Sequence, residues 1–126
     1  NGLDVDQLLV LGILPDQESA ERLRAERAAG KAALIHLLER EGLWPPREGE
    51  GDVAWTLAVH QLLARTKSVL VAASLDDLCL ETEPLNVPGV ASAEHPSWAK
   101  RMRLSIEALS RDETVLRCLA AIRDRT

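Results

Sequence analysis

Apolar positions along this chain follow a helical rhythm nearly everywhere and a strand-like one in a single place. Leu3 to Leu14 is dense in Leu and Val and predicts a short helix ending at Gly12 and Pro15. Beyond Pro15 a long helix is expected over 16–43, with Asp16, Glu18 and Glu21 near its positive N-terminal end. Its apolar stripe runs Ala20, Leu23, Ala28, Leu34, Leu37 and Leu38; Gly30 interrupts it, and Gly42 is the expected stop. Trp44 to Gly51, with two prolines and two glycines, reads as loop. Asp52 is the expected cap of a helix over 52–66 that buries Ala54, Leu57, Ala58 and Leu62. Ser68 to Ala73 is a continuous apolar run with two valines and predicts a buried strand. Ser74-Leu75-Asp76-Asp77 then resembles a capping box that opens a helical turn through Leu80.

From Glu81 to Ser97 periodicity disappears. A connection that long without secondary structure is usually a working loop or a disordered one. In barrel enzymes, site loops follow the C-terminal ends of strands, and 81–97 has that position after 68–73. Residues 98–126 predict C-terminal helices: a weak one near Ser105–Leu109, then a stronger one capped by Asp112 that buries Val115, Leu116, Leu119 and Ile122. One strand cannot satisfy its own backbone groups. Three outcomes are open for 68–73: it is helical, it pairs with another copy, or the rest of a sheet lies elsewhere.

Composition narrows the class. The 126 residues suit one ordinary domain and are about half of the ~250 that a complete (β/α)₈ barrel takes. With three Trp, no Phe and no Tyr, any core is aliphatic. Cys79 and Cys118 sit in apolar surroundings and read as buried thiols, and neither CxxC nor a Cys/His cluster points to zinc. No run approaches a membrane span and no signal peptide opens the chain; together with the thiols this fits a reducing cytoplasm. The start at Asn1 is consistent with a piece of a larger protein. Net charge is −5, yet seven of the fifteen basic residues fall in 98–126. Those arginines are interleaved with Asp112, Glu113 and Asp124, so a solvated helix face is expected rather than a nucleic-acid surface.

The most specific stretch begins at Leu75-Asp76-Asp77-Leu78 and continues through Glu81-Thr82-Glu83 and Asn86-Val87-Pro88-Gly89. Glu94-His95-Pro96-Ser97-Trp98 and Lys100-Arg101 complete it. In this order the motifs resemble the C-terminal signature of the 4-α-glucanotransferases (amylomaltases, glycoside hydrolase family 77). Leu62 to Thr66, and the long helix between Ile13-Leu14-Pro15 and Leu43-Trp44-Pro45, extend the likeness over most of the chain. Val90, Ser97 and Ala99 stand where the family usually has Thr, Asn and Arg.

The resemblance implies a mainly α chain, 1–126 as a single C-terminal segment of a (β/α)₈-barrel enzyme, with 68–73 as its barrel-type strand. The parent would be a cytoplasmic transferase without metal or cofactor. It would move α-1,4-glucan segments between maltooligosaccharides through a covalent intermediate. Its nucleophilic Asp, acid/base Glu and stabilising Asp lie upstream in the family, the last in a His-Asp motif that this chain lacks. The chain alone is therefore expected to be inactive. It would contribute structural closure and one wall of the substrate groove, and its partners would be the glucan and the rest of its own polypeptide.

Within 81–97, Pro88-Gly89 suits a type II turn. By the resemblance Asn86, Pro88, Gly89 and Trp98 are the substrate-binding residues. Asn86 could instead cap its own turn, and Trp98 is read first as a buried anchor for the loop and second as a platform for a sugar ring. Trp44 and Trp55 read as packing residues. Glu81 and Glu83 are the nearest thing to a carboxylate pair, but two neighbours on one wall cannot flank a scissile bond, so each is expected to hold the loop. Of the histidines, His36 and His60 fall in helices and His95 lies in the loop, where the resemblance implies that it could approach substrate in the intact enzyme. From other classes, a free-standing helical interaction module and a small glucan-binding domain remain as rivals. A barrel piece should expose apolar surface and self-associate.

Overall fold

The computed structural model describes residues 3–45, 51–91 and 93–123 and is mainly helical. The helices are α1 Leu3–Val10, α2 Gln17–Arg40, α3 Gly51–Ala64, α4 Leu75–Leu78, α5 Ile106–Leu109 and α6 Glu113–Arg123. The chain divides into two compact units, Asn1–Ile35 with Glu83–Lys100, and His36–Thr82 with Arg101–Thr126. Among the described residues no helix is long and apolar enough to cross a membrane.

Helix ends lie where local chemistry puts them. Asp16 caps α2, its Oδ1 accepting from the Ser19 N–H at 2.8 Å. That bond, more than the nearby Arg22, holds the Asp16 carboxyl below the usual range. Gly12 (φ 67°) and Gly42 (φ 68°) end α1 and α2 in the left-handed conformation. Each is followed by a reversed bond, Ile13 N–H to Leu8 C=O (2.9 Å) and Leu43 N–H to Leu38 C=O (2.8 Å), the geometry of a Schellman cap. Ser74, Ser105 and Asp112 cap α4, α5 and α6 through side-chain oxygens. Asp52 is not a cap. It lies in the first turn of α3, which begins at Gly51, where its charge still favours the helix end. Of the loop expected between Trp44 and Gly51, residues 46–50 lie outside the described ones.

In the first unit Val5, Ala20 and Val87 are buried, and Arg24 and Arg27 of α2 pair with Asp6 and Asp4 of α1. The second unit packs α3 against α6, with α4 also on α6. Its core cluster is Leu78, Cys79, Val115 and Cys118, with Leu57, Ala73, Met102, Leu104 and Leu109 partly buried around it. Burial pushes both thiols up. His60 is buried with its Nδ1 2.7 Å from the Thr56 carbonyl one turn back, while His36 is exposed beside Glu39. Trp44 and Trp55 meet edge to face at 5.7 Å, a packing pair as expected.

Three expectations need correction. Residues 68–73 form no strand, and among the described residues there is no sheet at all. Val69 and Leu70 are 102% and 83% exposed rather than buried, because a strand exists only where another supplies its hydrogen bonds. On α6, Leu116 and Leu119 are about half exposed, and the inner face belongs to Val115 and Cys118. On α2, Ala28 is exposed and only Ala20 and Leu38 of the stripe are fully covered.

Candidate functional site

Of the aperiodic stretch 81–97, Glu81 and Thr82 fall in the second unit, and the described residues from Glu83 onward form a closed loop inside the first. Its ends, Glu83 and Lys100, are joined by an ion pair, with Lys100 Nζ donating to Glu83 Oε2 at 2.6 Å. Inside that staple the Trp98 N–H donates to the Leu85 carbonyl at 2.8 Å. Val87, the one buried residue among the described residues of the loop, donates its N–H to Ser97 Oγ at 3.4 Å. Val87 to Val90 makes the expected turn, closed by a 3.3 Å bond, with Gly89 at φ 85° after Pro88. A second turn returns the chain, the Glu94 and His95 N–H groups both donating to the Ala91 carbonyl.

His95 fastens this loop to α1. Gln7 Nε2 lies 3.4 Å from His95 Nδ1, and the ring's Nε2 lies 3.3 Å from the Pro84 carbonyl. With the Gln7 amide donating to Nδ1, the ring proton sits on Nε2 and is given to Pro84. Around these groups lies an open cavity of about 440 Å³ lined by Gln7, Glu83, Pro84, His95, Pro96, Ala99 and Lys100. The residues expected to touch sugar (Asn86, Pro88, Gly89 and Trp98) do not line it.

Those four stand on the outside of the loop. Asn86, Pro88 and Gly89 are exposed, and the Asn86 side chain makes no hydrogen bond to a described residue, so it does not cap its own turn. Trp98 is 74% exposed and sits at φ 63°, so it is not the buried anchor that its size suggested. The anchoring is done by its backbone N–H and by Val87, which leaves the indole face open.

The carboxylates take up holding roles. Glu81, in the second unit, accepts the Arg103 N–H, while the Arg103 guanidinium donates to the Cys79 carbonyl at 2.8 Å. Glu83 is held below the usual carboxylate range by its bond to Lys100, and by that cation's charge. A general acid needs the opposite, a carboxyl kept protonated near neutral pH by a raised pKa. Glu83 is instead engaged as the ion-pair partner of Lys100, and both nitrogens of His95 have hydrogen-bond partners. Among the described residues no group of His, Cys, Asp and Glu could hold a metal ion. What the arrangement can do is present a flat aromatic face and a free amide from a stapled loop. Nothing local in the sequence pointed to Gln7, which reaches His95 across 88 positions. The Glu83–Lys100 staple had a weak signal: opposite charges at the two ends of an aperiodic run.

Comparison with family models, with curated proteins and with solved structures finds no match for this chain.

Proposed function

We propose that this chain is the C-terminal part of a 4-α-glucanotransferase. In that protein it closes the barrel and lends one loop of the groove along which α-1,4-glucan segments pass between maltooligosaccharides. The ordered run of motifs from Leu75 to Arg101 motivates the reading. The observation that carries it is Trp98, held by its backbone but 74% exposed at the side chain, on the same loop as the exposed Asn86 and the Pro88-Gly89 turn. An indole with one face to solvent can stack on a pyranose ring, and a side-chain amide both donates to and accepts from sugar hydroxyls. In the retaining mechanism, two carboxyl groups flank the scissile bond about 5 Å apart. This reading assigns them, with the stabilising Asp, to the polypeptide ahead of Asn1, and leaves positioning to Asn86, Pro88, Gly89 and Trp98.

Two measurements test the proposal. The purified 126-residue chain should release no glucose from maltotriose, whereas the product of the whole gene should do so. In that longer product Trp98→Ala should weaken acceptor use about tenfold, the scale of one lost stacking contact. Turnover by the short chain, or a gene without upstream acidic motifs, would overturn the reading in favour of a helical interaction module. The division into two units, each with buried residues of its own, is the observation that favours this rival.

A further inference from the structure

The cavity beside His95 carries polar groups whose hydrogen-bonding capacity is only partly used. Gln7 gives one amide N–H to His95, which leaves its second N–H and its Oε1 without a bond to a described residue. Lys100 gives one of its three N–H groups to Glu83, and that carboxylate accepts through Oε2 alone. His95 is different. Its ring is held by Gln7 at one nitrogen and by the Pro84 carbonyl at the other, so it acts as a wall that fixes the amide beside it. Pro84, Pro96 and Ala99 supply the apolar part of the lining. All these residues belong to the first unit, and the volume of about 440 Å³ lies within the ~300–1,000 Å³ of small-molecule sites.

Charge and donor count select the ligand. Glu83 and Lys100 offset each other at the cavity, so an anion would face the carboxylate and a cation the ammonium. A wholly apolar ligand would cover the Gln7 amide and the ion pair without replacing their bonds to water. A neutral polyhydroxyl compound meets both demands. Each hydroxyl donates and accepts, so a vicinal pair can serve Glu83 Oε1 and a Lys100 N–H together, while the C–H face of a pyranose ring rests on proline. We infer that this cavity binds a single neutral sugar unit, at a site distinct from the surface formed by Asn86, Pro88, Gly89 and Trp98. The contacts are few and open to water, which sets Kd on the order of 1–10 mM. Only the natural source of that sugar rests on the glucanotransferase reading, in which glucose is set free; the site itself does not.

NMR titration of the isotope-labelled 126-residue chain with D-glucose, up to about 50 mM, should give saturable shifts. They should fall on the Gln7 side-chain amide and on the backbone amides of Glu83, His95, Ala99 and Lys100. Ala99→Leu, at an exposed position, fills the cavity and should abolish them with helical circular dichroism unchanged. Gln7→Leu should weaken binding about tenfold, the scale of a lost amide contact. Inorganic phosphate should give no saturable shift. Glucose shifts that never saturate, that survive Ala99→Leu, or that phosphate reproduces would overturn the inference. So would binding that Trp98→Ala removes and Ala99→Leu does not, since the sugar would then lie on the outer face of the loop. Transferase activity of the whole-gene product separates the two readings: activity without glucose binding here removes this inference alone, and glucose binding without activity removes the glucanotransferase reading alone.

Discussion

Leu75 and Leu78 are the same residue type in the same helical turn, three positions apart, and differ in burial: 50% exposed against 2%. Truncating each to Ala isolates what the core cluster contributes. For Leu78, removing three methylene equivalents at about 0.8 kcal/mol each costs about 2.4 kcal/mol of transfer free energy. The void left among Cys79, Val115 and Cys118 raises the total to about 3 kcal/mol. Leu75→Ala leaves no void, because water already reaches the site, and should cost under about 1 kcal/mol. Urea unfolding followed by tryptophan fluorescence reads the difference. Trp44 and Trp55 lie in the same unit as α4, and a Trp98→Phe background confines the signal to that pair. With a slope of about 1–1.5 kcal/mol per molar for a unit of this size, Leu78→Ala should lower the midpoint by about 2–3 M. Leu75→Ala should lower it by well under about 1 M. Equal losses at the two positions would show that α4 does not dock through Leu78, and the packing described for the second unit would be wrong.

Three further outcomes follow from the same geometry. Lys100→Ala should return the Glu83 carboxyl toward its ordinary range, readable by NMR titration of the side-chain carbon. A depressed carboxylate stabilises the fold above its unfolded pKa, and that stabilisation is lost as pH falls through the folded value, so the staple should weaken only in acid. Gly42→Ala should destabilise by about 1 kcal/mol. No atom crowds the added Cβ, so a left-handed φ is the whole cause, and Gly42→Asn should lose less on denaturation. Cys79 and Cys118, both fully buried with raised thiols, should resist iodoacetamide in the native protein and react together once urea unfolds the second unit. Rapid alkylation of either under native conditions would contradict that burial.

The long aperiodic loop was legible because helical spacing stops at Glu81 and Pro88-Gly89 announces its turn. Its internal organisation was not. Whether Trp98 is an anchor or an open platform depends on which atoms hold the chain, and a backbone N–H reaching Leu85 did what a buried indole was expected to do. The carboxylates show the same limit. Glu81 and Glu83 are two positions apart, yet one binds Arg103 and the other Lys100, in different units.

From the sequence alone came the helical segments and some of their ends, with Ser74 and Asp112 read as caps and Gly12 and Gly42 as stops, though Asp52, read as a cap, lies inside α3. Asp16, Ser74, Ser105 and Asp112 cap, and Gly12 and Gly42 stop, through contacts within a few residues of themselves. Tertiary structure decided which side of each stripe is covered, choosing Val115 and Cys118 over Leu116 and Leu119, and it brought Gln7 to His95. It also decided the fate of Ser68–Ala73. A helix satisfies its backbone from its own next turn, whereas an apolar run becomes a strand only beside a second strand, and among the described residues none stands there.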